Sequence, residues 1–158
     1  MPQEDAPLRR FNFEAEVYET LSCVPMAVRR KLDRAGVKVG LKQWQALGRG
    51  ERLAICHLPA ASDEEVEALH LFIREALARG GTEPTPLSAA DRAGAEPPTD
   101  PPGALVEQAG ILGFALDGST WRQLDGDERY ALMKLGTGPK LSHNLKAALG
   151  ELIGAHAS

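Results

Sequence analysis

A chain of 158 residues, 43% apolar and 25% charged, has the composition of a single globular domain. Its net charge of −4 disfavours a general nucleic-acid binder, and two cysteines do not make a disulfide framework. No apolar run is long enough to span a bilayer and the N-terminus has no signal-peptide core, so no membrane partner is expected and the cytoplasm is the expected compartment.

Residues 1–10 read as a polar N-terminal tail and 11–80 as a first helical half. Pro25 suits a first helical position; Val28, Leu32 and Ala35 then mark one face, and Gly36 follows as a stop. Ser62 with Glu65 three residues later forms a capping-box pattern. Val66, Leu69, Phe72, Ile73, Ala76 and Leu77 continue from it at helical spacing to Gly80. Residues 81–102 hold six of the eleven prolines and almost nothing large and apolar, which predicts a mobile Pro-rich linker or loop. In the second half, 103–157, Asp125 with Glu128 marks another helix start. Leu145, Leu149, Leu152 and Ile153 define a last amphipathic helix with Ser142 as its cap. The alternations at Val37–Val39 and Phe114–Leu116 are too short for more than one small pairing, so the fold class is all-α.

The pattern W-x2-L-x3-E-R-x-A-x3-L runs from Trp44 to Leu58 and returns from Trp121 to Leu135, 77 residues on and without a gap. Extended back to Gly36 and Gly113, the copies share seven identities in 23 positions, including the only two tryptophans. This predicts two related helical units, too small to bury a core singly, packing together as one compact domain. Trp44, Leu47 and Leu58, with Trp121, Leu124 and Leu135, are the expected core of the repeat. The repeated Glu51-Arg52 and Glu128-Arg129 pairs read as helix caps and surface ion pairs. A long linker also permits exchange between protomers, which leaves monomer and homodimer both open.

F-N-F-E at Phe11–Glu14, C-V-P-M at Cys23–Met26 and V-R-R-K-L-D-R-A-G-V-K-V at Val28–Val39, followed by Trp44 and Glu51-Arg52, resemble the nitrate reductase associated protein family. The resemblance covers Phe11 to Pro59 and Phe114 to Leu149. It implies a small soluble protein that supports active assimilatory nitrate reductase, with that enzyme or its cofactor-loading machinery as partner. It carries no catalytic residues.

The chain contains no G-x-G-x-x-G, P-loop, G-x-S-x-G or H-E-x-x-H motif, so no enzymatic activity and no resident cofactor are expected. Cys23 lies just before a helix start, where unpaired amides lower a thiol pKa; it is either a reactive thiol or a small packed residue. Cys56 and His57 point apart on a helix, and with Cys23 they give at most three soft ligands, so no metal site is expected. Residues 29–52 carry a local charge of +6. Within them Arg29, Arg30, Arg34, Lys38 and Arg52 are the candidate contacts for an acidic partner or an anion. The leading reading is an accessory or maturation protein acting by protein–protein contact. The alternative is a carrier that holds a phosphorylated molybdopterin-type cofactor in the same basic region.

Overall fold

The computed structural model describes residues 8–137 and 143–154. The expected Ser142 cap and the ends of the chain lie outside them. Among the described residues are ten α-helices and one two-stranded pairing, so the fold is all-α as the periodicities predict. The chain divides into two compact units, Glu16–Ala95 with the residues up to Arg10, and the residues from Glu96 onward with Phe11–Ala15.

The first unit begins with most of α1 (Ala15–Thr20) and continues through α2 (Met26–Ala35), β1 (Val37–Lys38), α3 (Leu41–Ala46), α4 (Arg49–His57) and α5 (Asp63–Arg79). It ends with β2 (Thr85–Pro86) and α6 (Ala89–Ala93). Pro25 caps α2 rather than opening it, and Gly36 ends it in the left-handed conformation at φ 76°. The Ser62–Glu65 capping box is formed: Glu65 N donates to Ser62 Oγ at 3.1 Å and Ser62 N to Glu65 Oε1 at 3.1 Å. Val28, Leu32, Trp44, Ile55, Leu69 and Ile73 anchor the core, with Leu58 only partly buried against it. Leu58 falls short because it sits past the last turn of α4, at the cap rather than on the inward face.

Within the stretch 81–102, which its composition marks as a linker or loop, the part up to Ala95 carries local structure. β2 pairs antiparallel with β1, Val37 opposite Pro86, and α6 packs on α2. Leu87 N donates to Gly36 O at 2.9 Å, Gln43 Nε2 to Glu83 O at 2.8 Å and Arg30 Nε to Ala95 O at 2.7 Å. Ordering here is repaid by side chains from α2 and α3 that reach the backbone of the segment, a source of stability that counting its own apolar residues misses.

The second unit holds α7 (Gly103–Ile111), α8 (Gly118–Gln123), α9 (Gly126–Gly136) and α10 (His143–Leu152). α9 packs on both α7 and α10. The backbone amides of Asn12 and Phe13 donate to the two carboxylate oxygens of Glu151 at 3.0 Å each, and Phe11 is buried. That clasp places Phe11–Ala15 with this unit and not with the first half, where sequence order would put it. The Asp125–Glu128 box is also closed, with both bonds at 2.8 Å.

Local features recur at the sequence offset. α2 and α7 start at 26 and 103, α3 and α8 at 41 and 118, and α4 and α9 at 49 and 126, each 77 residues apart. Gly36 and Gly113, at the same offset, both have positive φ, 76° and 91°. Trp44 Nε1 donates to Leu21 O at 2.7 Å, and Trp121 Nε1 to Pro98 O at 2.9 Å.

Candidate functional site

α2 carries four basic residues, and most of them turn toward the protein's own backbone. Lys31 Nζ donates to Ile55 O at 2.6 Å, Cys56 O at 2.7 Å and Leu58 O at 2.8 Å. It therefore closes the C-terminal end of α4, where carbonyls lack intrahelical partners and a cation is favoured. Arg30 holds Ala95 O, and Arg34 Nη1 donates to Ala60 O at 3.3 Å. Arg52 Nη1 donates to Leu21 O at 2.9 Å, while its Nε is buried with no hydrogen-bond partner.

Of the five cationic candidates, then, Arg30, Arg34 and Arg52 are half-buried and donate to backbone carbonyls. Arg29 and Lys38 are exposed, as are Lys42 and Arg49 from the same basic segment. The physical reason is long-range. Helix ends and loop carbonyls elsewhere in the unit need donors, and the long stems of Arg and Lys deliver them.

The Glu-Arg pairs are equally specific. Glu51 Oε1 accepts from Gly48 N at 2.9 Å, capping α4, and Oε2 accepts from Arg79 Nη2 at 2.6 Å. The bond from Arg79 is the first cause holding the Glu51 carboxyl below its ordinary range, followed by the Gly48 amide. Capping and ion pairing thus describe Glu51. They do not describe the arginines. Arg52 pins the Leu21 carbonyl, and Arg129 donates through Nε to Trp121 O at 3.0 Å and through Nη2 to Arg122 O at 3.1 Å. The repetition of Arg beside Glu was the available sequence signal for this bracing role.

Leu21 takes a positive φ of 54°, unusual for a residue with a Cβ. Its carbonyl receives both Trp44 and Arg52, and the next carbonyl, Ser22 O, receives Gln45 Nε2 at 3.1 Å. Cys23 follows directly and is exposed, so it is not packed beneath the start of α2. Cys56 is buried, and burial pushes its thiol pKa up against the opposing charge of Lys31. His57 is exposed beside it. Among the described residues no group of three or more His, Cys, Asp or Glu is placed to hold a metal ion.

The two thiols should separate in a labelling experiment. Iodoacetamide is expected to modify Cys23 in the native protein and Cys56 only on unfolding; equal native rates would contradict the burial. The raised Cys56 pKa also fixes a sign. The folded state keeps its proton to higher pH than the unfolded chain. The associated stability is therefore full below the ordinary thiol value of 9.0 and declines as pH rises through the raised one. Cys56→Ala should flatten that alkaline decline in a urea-midpoint series.

These features define a class: an all-α protein in which several cationic side chains, Arg30, Lys31, Arg34, Arg52 and Arg129 among them, brace its own backbone. The chain belongs to the conserved nitrate reductase-associated protein family, whose model matches residues 10–152. No curated protein and no solved structure matches it. No helix among the described residues is long and apolar enough to cross a membrane.

Proposed function

We propose that this is a cytoplasmic accessory protein that supports active assimilatory nitrate reductase by binding the enzyme or its cofactor-loading partner. The family match across residues 10–152 carries this reading. The contact we assign to the first unit centres on Arg29 and Lys38, the exposed members of the basic candidate set. Exposed charges of this kind steer association and set its salt dependence. The alternative of a carrier for a phosphorylated pterin is less well supported. Arg30, Arg34 and Arg52, which would supply the guanidinium groups, already serve Ala95, Ala60 and Leu21 carbonyls. We further propose that the two units arose by duplication of one helical unit. The common offset of helix starts and tryptophan bonds supports the duplication.

The test is a deletion strain complemented with wild-type protein or with the double variant Arg29→Glu, Lys38→Glu. Nitrate reductase activity per reductase polypeptide should fall on deletion and return with the wild type. The double variant should fold normally, bind the reductase or its loading partner roughly tenfold more weakly at low salt, and lose that deficit as salt rises. Activity unchanged by deletion would sink the accessory reading. Unchanged affinity of the double variant would move the contact elsewhere.

A further inference from the structure

α3, α4 and the end of α5 enclose a groove of about 360 Å³ in the first unit, within the size range of small-ligand sites. Ala46, Leu47, Ala76 and Leu77 supply apolar lining, and Lys42 and Arg79 supply charge. Glu51 also lines it, but its carboxylate is occupied: Gly48 N takes Oε1, and Arg79 Nε and Nη2 both reach Oε2, at 3.2 and 2.6 Å. That pair cancels one positive charge. Arg79 Nη1 lies outside it, and Lys42 is exposed with no hydrogen bond or ion pair to another described residue. The groove is left with apolar walls and one uncompensated cation beside a guanidinium edge. A neutral apolar ligand would leave Lys42 unused, and an amine would be repelled by it.

From this we infer that the groove is a binding site for a small amphipathic carboxylate. The apolar body of the ligand packs between Leu47 and Leu77, and its carboxylate accepts from Lys42 Nζ and the outer edge of Arg79. The site is distinct from the Arg29 and Lys38 contact and does not depend on the nitrate reductase reading. The internal sequence pattern did not point to it, because Lys42 and Arg79 come to one groove from α3 and the end of α5.

The probe is phenylbutyrate, titrated into the full-length protein and followed by amide NMR shifts, with phenylbutanol as its uncharged counterpart. Saturable shifts are expected at residues 42–51 and 76–82, with the carboxylate binding roughly fivefold tighter than the alcohol, the size an exposed ion pair supplies. Lys42→Ala, at an exposed position, should reduce the carboxylate to the affinity of the alcohol. Ala46→Trp should block both by filling the groove. No saturation, equal affinity of acid and alcohol, or a Lys42→Ala variant that binds phenylbutyrate as wild type does would each overturn the assignment.

Discussion

Lys31→Met is expected to destabilise the protein by about 3 kcal/mol, through the loss of charged hydrogen bonds and the burial of carbonyls left unpaired. The ammonium of Lys31 meets three carbonyls, Ile55, Cys56 and Leu58, at 2.6–2.8 Å. The last carbonyls of a helix have no partner of their own, and here one side chain from α2 satisfies those at the end of α4. Methionine keeps most of the apolar stem, so the loss isolates the charge and its donors from simple packing. Partial exposure of Lys31 lets water replace some of these bonds, which is why the figure stays near one or two charged hydrogen bonds rather than three. Urea unfolding read by circular dichroism would show a lowered midpoint with little change in slope. Lys31→Arg should recover part of the loss. A Lys31→Met midpoint equal to wild type would mean that solvent caps α4 unaided.

The same residue shows where sequence reasoning stops. Local devices were legible. The Ser62–Glu65 and Asp125–Glu128 boxes and the Gly36 stop all depend on groups within four residues of one another, and each formed as its spacing predicts. The apolar periodicity likewise placed Val28, Leu32, Leu69 and Ile73 inside. What stayed hidden was every role set by a partner far along the chain. Lys31 and its carbonyls lie 24–27 residues apart, Arg30 and Ala95 65 residues apart. A run of eight basic residues looks like a presented surface until the carbonyls that claim half of it are in place. The bonds of the segment after α5 were hidden for the complementary reason: they come from donors on α2 and α3, not from its own composition. Of the five candidate cations, only Arg29 and Lys38 are left exposed.

Trp44→Ala should cost more than any charge variant, about 4 kcal/mol, the range for removing a fully buried aromatic ring. Trp44 has no exposed surface, and its Nε1 bond to Leu21 O helps hold a residue at positive φ. Two contributions therefore overlap, cavity formation and release of the 21–25 loop. Trp44→Phe separates them, since it refills much of the ring volume but offers no N–H. It should cost about 1–2 kcal/mol, the penalty for a buried carbonyl that loses one of its donors. Arg52 still serves that carbonyl at 2.9 Å, which limits the phenylalanine penalty and predicts coupling between the two positions. In a double-mutant cycle, Trp44→Phe with Arg52→Met should destabilise by more than the sum of the single changes, because only the pair leaves Leu21 O without a donor. Strict additivity would mean that the two bonds act independently and that Leu21 is held in its left-handed conformation by packing alone.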